Sequence, residues 1–181
     1  MIHGIGQFII AHAFWAGPLV ALVAMVEAIA VIGSFVPGST ILVIVGTGAG
    51  AAHLPIGPLI VWAVAGAVIG DTLSYAMGLR HGSRLLAMRP FAYRPQWTAR
   101  ARNLLERRGD LAVFAGRLLP PLRALMPLLA GMSGLRLARF LIADLVAAMV
   151  WAVLHLASGA LVGAFLVHGG HLHDLWHAIA R

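Results

Sequence analysis

Two arginines six residues apart, Arg117 and Arg123, flank the pair Pro120-Pro121 in an otherwise apolar stretch. A guanidinium cannot shed its proton, so in such surroundings each needs an anion, backbone carbonyls or water. Its planar fork of donors suits a phosphate, and a helix broken at the prolines adds free backbone N–H groups. The plainer outcome is an internal salt bridge with Glu27 or Asp144, or snorkelling to the interface. An ion pair that opens to admit a charged headgroup would combine the two.

Glu27 poses the same question with the opposite charge. It interrupts a long apolar run, where an ionised carboxylate costs roughly 2.5–3.5 kcal/mol or more. It must pair, face water or hold a proton, so gating or proton handling is its expected role. A hydrogen bond that fixes helix packing is the simpler alternative. Asp71 and Tyr75 lie four apart on one helix face, with Arg80 about two turns beyond Asp71. This reads as an electrostatic clasp at the cytoplasmic interface, with a transport role beside Glu27 as the other possibility. Asp144 has Arg139 or Arg123 within reach. The His-rich tail (His168, His171, His173, His177) holds no complete metal-site pattern, so neither metal nor cofactor is expected. P-loop, HExxH, GxSxG and strand-borne GxGxxG patterns are absent, as is a Pro-Ser-Gly-His lipid-phosphatase signature. An enzyme is therefore not expected.

The elements that must position these residues are membrane helices. The chain has 181 residues, 61% hydrophobic and 10% charged, too little charge to cover a soluble surface. Period-two alternation is lacking, which argues against a β-barrel. No cysteine occurs, so disulfides and thiolate sites are excluded. All thirteen basic residues are Arg, and eight crowd one segment: Arg80, Arg84, Arg89, Arg94, Arg100, Arg102, Arg107 and Arg108. That segment belongs on the cytoplasmic side, against anionic headgroups. Without a nucleic-acid fold around it, no nucleic-acid partner is expected. Residues 1–17 lack a basic region, so the first membrane helix is expected to stay uncleaved.

Along the chain, residues 1–17 read as an N-terminal amphipathic helix entering the membrane and ending at Pro18. Residues 18–36 are apolar and stop at Pro37-Gly38. The apolar return 40–52 is about 20 Å long as a helix, too short to cross. A broken helix with a short return suggests a re-entrant hairpin. Residues 56–79 can span; 80–109 are basic, with an amphipathic helix around 96–108. Residues 111–119 and 122–134, split by Pro120-Pro121, suggest a second re-entrant hairpin. Residues 137–167 form one long membrane helix, and the tail 169–181 lies at an interface. At an offset of 83, Glu27 falls on Asp110, Gly33 on Gly116, Pro37 on Pro120 and Gly48 on Gly131. Paired interrupted segments of this kind point to an inverted repeat. The fold class is thus all-α integral membrane with two opposed re-entrant hairpins. The spacings Gly66/Gly70 and Gly159/Gly163 allow close helix packing, inside the chain or between copies in a homo-oligomer.

Three motifs within residues 18–168 resemble the DedA family of bacterial membrane proteins, also called SNARE-associated or VTT-domain proteins. The first is Glu27 with Phe35-Val36-Pro37-Gly38. The second is Gly70-Asp71-Thr72-Leu73-Ser74-Tyr75 through Gly78, Arg80 and Gly82. The third is Arg117-Leu118-Leu119-Pro120-Pro121-Leu122-Arg123 with Pro127 and Ala130-Gly131-Met132, completed by Phe140 and Trp151. The resemblance implies a lipid translocase, a flippase or scramblase of the bacterial cytoplasmic membrane. It would move undecaprenyl phosphate or a phospholipid, in some members with the proton or cation gradient. Arg117, Arg123 and Ser39 would then hold the phosphate headgroup, with Glu27 and Asp71 titrating or gating. One departure stands out: Ser39 occupies a position that is usually Asp or Glu in the family, and a hydroxyl carries no such charge. Ala28 likewise replaces a common Asn. A proton-coupled transporter of a small solute or cation is the alternative function.

Overall fold

A computed structural model describes residues 13–29, 38–86, 95–123 and 125–167, and all regular structure among them is helical. The helices are α1 (Ala13–Ala28), α2 (Gly38–Ala51), α3 (Gly57–Leu86), α4 (Pro95–Arg108), α5 (Asp110–Leu118), α6 (Pro120–Arg123), α7 (Met126–Met132) and α8 (Leu137–Val167). The segment before residue 13, the Pro37 break, Arg89, Arg94 and the His-rich tail lie outside the described residues.

Among the described residues, two helices are long and apolar enough to cross a membrane: residues Gly57–Gly82 of α3, and α8. Their outer faces carry large exposed apolar side chains such as Val61, Ile69, Ile142 and Leu154. Hydrocarbon accommodates these without cost, whereas water would not. Helix α2, with 14 residues, is too short to cross. Helix α3 kinks at His81, whose φ of −137° leaves the helical region, where the apolar stretch gives way to the basic segment.

The sequence places the end of the first helix at Pro18, but α1 runs through it from Ala13 to Ala28. In the second turn a proline forfeits a single backbone bond near an end that already lacks partners, and membrane helices tolerate that loss. A helix therefore crosses the 17/18 boundary. The long helix of the second half is found at 137–167, and α4 covers the expected amphipathic stretch.

The halves pack crosswise. Helix α1 lies on α3 and α5 on α8, whereas the short helix α2 packs on α8 and the short α7 on α3. Glycine makes three of these crossings close. A side chain at Gly66 would meet the Ala21 carbonyl of α1, and one at Gly159 the Val43 carbonyl of α2. One at Gly131 would meet Tyr75 of α3. The two GxxxG spacings thus serve packing within the chain. Gly109 adopts φ 47°, a backbone turn that a side chain would strain, and it starts α5 directly after α4. Leu119 is extended (φ −96°, ψ 110°), as a residue before proline must be, and α6 restarts at Pro120.

An alanine in place of glycine inside a helix ordinarily gains about 1 kcal/mol. Gly159→Ala is expected to do the opposite and lower the thermal midpoint in detergent, because its Cβ meets backbone. Gly57→Ala, with open space around it, is the control and leaves the midpoint unchanged or raised.

Candidate functional site

Among the described residues, Glu27, Asp71 and Asp144 are the buried acidic ones, and all three face the two arginines singled out above. The more buried end of the cluster is its floor and the less buried end its mouth. At the floor, Arg117 of α5 uses its Nη1 to pair with both Asp71 of α3 and Asp144 of α8, the latter at 2.5 Å. At the mouth, Arg123 of α6 places Nη1 2.8 Å from Glu27 Oε1 of α1 and 3.0 Å from Ser39 Oγ of α2. Side-chain exposure separates them, at 3% for Arg117 and 12% for Arg123.

Glu27 does more than neutralise Arg123. Its Oε1 accepts the backbone N–H of Ser39 at 2.9 Å and the Ser39 hydroxyl at 2.8 Å. Ser39 is the second residue of α2, so its N–H is one of the amides that the helix leaves without an internal partner. A carboxylate there also favours the positive end of the helix dipole. Gly38 permits this approach, since a Cβ at that position would collide with the Glu27 carboxylate. Gly38 of the Pro37-Gly38 motif therefore contributes room.

The second motif divides its labour along α3. Gly70 lets α3 approach Met25 and Ala28 of α1. The Ser74 hydroxyl lies 3.1 Å from the Ala28 carbonyl and 3.0 Å from that of Gly70. The Tyr75 hydroxyl donates to the Leu135 carbonyl, and its ring stacks on Phe140 with centroids 4.8 Å apart. Asp71 does not clasp Arg80. It points into the protein and is 2% exposed, while Arg80 faces outward. Arg139 pairs with Asp110 at 2.9 Å on the surface instead of with Asp144. Helical geometry explains both: Asp144 shares the buried face of α8 with Phe140, and Arg139 is on the opposite side.

Trp151 is the residue whose role the sequence reading did not see. Its ring lies beneath both guanidiniums, 4.3 Å from Arg123 Cζ and 5.8 Å from that of Arg117. It stands seven residues after Asp144, two turns along the same face, and that spacing was the available signal.

Each arginine meets its carboxylates through Nη1 alone. Nε and Nη2 of both, the edge with two parallel donors, are buried without a hydrogen-bond partner among the described residues. So are Glu27 Oε2, Asp144 Oδ2 and Trp151 Nε1. Unpaired buried donors on a charged group are costly, and an oxyanion can satisfy such a fork.

The VTT domain family matches residues 36–161 of the chain. The chain belongs to the VTT domain family, that of the DedA proteins. Its relatives include the inner membrane protein YabI of Escherichia coli strain K12, 26% identical over 145 residues, which are 80% of this chain and 57% of YabI. Protein DedA of the same strain is 22% identical over 162 residues, 88% of this chain and 74% of DedA. The inner membrane protein YghB is 33% identical over 119 residues, 65% of this chain and 54% of YghB. The chain spans 57–58% of the length of the first curated relatives it matches. No solved structure matches it. This VTT-domain chain is a membrane protein, and Ser39, where the family resemblance leads one to expect an acid, is spent on Glu27 and Arg123.

Removing one partner of a buried ion pair costs about 3–5 kcal/mol, whereas exposed pairs contribute less than about 1 kcal/mol. Asp144→Ala is therefore expected to destabilise the folded protein severely and Asp110→Ala slightly, measured side by side by chemical unfolding in detergent. Equal losses would contradict the assignment of Asp144 to the buried cluster.

Proposed function

We propose that the chain is a lipid translocase that carries a phosphate-bearing lipid, such as undecaprenyl phosphate or a phospholipid, across the bacterial cytoplasmic membrane. The observation that carries this reading is the pair of buried guanidinium edges, Nε and Nη2 of Arg117 and Arg123, left open while Nη1 is engaged. A phosphate can dock on these edges with the internal ion pairs intact, so the arginines stay neutralised between cycles. Arg123 at the mouth meets the headgroup first, and Arg117 receives it at the floor; Ser39, whose hydroxyl and N–H are both given to Glu27, joins once Glu27 is released. The acyl chain remains in lipid alongside the apolar outer faces. Glu27, bound to both Arg123 and the start of α2, gates: its release would free Arg123 and the α2 terminus together.

The topology that suits this reading is a pair of opposed re-entrant hairpins, α1–α2 and α5–α7, related as an inverted repeat. Crosswise packing of each short helix on the other half's long helix supports it, as does the shortness of α2 and α7. Glu27 and Asp110 do not correspond in environment, since Asp110 is on the surface. A second reading has its own support: three carboxylates face two guanidiniums. One proton or cation balances that excess, with Glu27 or Asp71 as carrier, as a proton-coupled transporter of a small solute or cation would require.

Translocation by proteoliposomes distinguishes them. Wild-type protein is expected to move labelled undecaprenyl phosphate or a labelled phospholipid, with Arg117→Ala and Arg123→Ala slower by at least about tenfold, the loss of a charge-assisted hydrogen bond. Unchanged rates in both variants would overturn the phosphate grip. Solute movement without lipid movement would favour the second reading.

A further inference from the structure

Trp151 is the one large side chain on the buried face of α8 between Asp144 and Leu156, among Ala147, Ala148 and Ala152. It is 3% exposed, and nothing in the fold requires an indole there: a leucine or phenylalanine would fill an apolar gap without burying an N–H. That N–H has no hydrogen-bond partner among the described residues, which normally costs free energy comparable to a lost hydrogen bond. The ring face is engaged by both guanidiniums, closely by Arg123 and more distantly by Arg117. Next along the helix, His155 tilts against the indole with centroids 5.3 Å apart, and its Nδ1 lies 2.8 Å from the Trp151 carbonyl.

From these contacts we infer that Trp151 is a headgroup-binding and positioning residue: its π face fixes the two guanidiniums, and its Nε1–H is a fifth donor to the same oxyanion. The inference rests on the phosphate reading above and adds a residue and a selectivity to it. A guanidinium over an indole is held by the negative face of the ring and can still turn its open edge towards a ligand. A hydrophobic wall would give no such bias, and a carboxylate wall would consume the edge. The indole therefore keeps Arg123 charged, oriented and open at once. The donor set it completes contains four charged donors and one neutral one. That set favours a phosphate with several free oxygens and gives a neutral headgroup of the same size little to bind.

The test uses the full chain in nonionic detergent and two probes of equal chain length, dodecyl phosphate and dodecanol. Affinity is measured for wild type, Trp151→Phe and Trp151→Leu. Phenylalanine keeps a ring face and drops the N–H; leucine drops both. Dodecyl phosphate is expected to bind about tenfold more weakly to Trp151→Phe, and more weakly again to Trp151→Leu, while dodecanol does not distinguish the three. A second measurement stands if the leucine variant fails to fold. With Trp15, Trp62, Trp97 and Trp176 changed to phenylalanine, Trp151 emission is expected to shift saturably with dodecyl phosphate and not with dodecanol. Binding of dodecyl phosphate at wild-type strength by both Trp151 variants would overturn the role of Trp151 and leave the phosphate site standing. So would equal weakening for both probes, which marks a packing role only. Failure of wild type to bind dodecyl phosphate would overturn the site and the role together.

Discussion

Two guanidiniums that cannot lose their charge lie buried in a protein whose outer surface is made for lipid. The rest of the structure follows from what that requires. A charge at this depth must be met by opposite charge and by hydrogen bonds, or the helices carrying it will not insert and pack. Glu27, Asp71 and Asp144 meet it, each from a different helix, and the arginines come from two more. Five helices are thereby tied to one point. A sixth, α2, is drawn in because its first turn needs an acceptor and Glu27 supplies one.

That convergence is possible because the helices touch backbone to backbone. Glycines at the crossings of α1 with α3, α2 with α8 and α3 with α7 bring those axes close, so the acid-bearing helices α1, α3 and α8 sit in a tight bundle. Aspartate has little reach, and a longer interhelical distance would leave Asp71 and Asp144 short of Arg117. Packing and electrostatics are thus one design: small residues set the separation, and the separation lets a few charges neutralise each other. What is left over is mostly of the donor type: the outer edges of the two guanidiniums and one indole N–H, against the carboxylate oxygens Glu27 Oε2 and Asp144 Oδ2. A site with donors in surplus suits an oxyanion.

Much of this was legible in the residues. Long apolar helices at 57–82 and 137–167, the amphipathic helix of the basic segment, the start of α2 at Gly38 and the restart at Pro120 follow from hydropathy and proline placement. Arg117, Arg123 and Glu27 stood out because charge inside apolar sequence is expensive. Their partners were harder to read. Asp71 lies eight residues before the end of the expected span at 79, beside polar neighbours that suggested an interface, and only the tertiary fold turns it towards Arg117. Arg139 is nearer to Asp144 in sequence than Arg117 is, yet helix geometry puts it on the opposite face. Trp151 carries no charge to draw notice, and its value depends on two arginines reaching it from another part of the chain.

Solid-state NMR of protein carrying 15N-arginine in lipid bilayers, with a bound alkyl phosphate, tests most directly whether the open guanidinium edges hold a headgroup. Phosphorus within hydrogen-bonding distance of guanidinium nitrogens dephases their signals, and lysine at positions 117 and 123 removes those signals from the spectrum. The expected result is strong 31P–15N coupling to Nε and Nη2 that vanishes in Arg117→Lys/Arg123→Lys protein. Coupling that persists in that variant would place the phosphate on the arginines of the basic segment, and the buried cluster would then be a structural lock with no part in binding lipid.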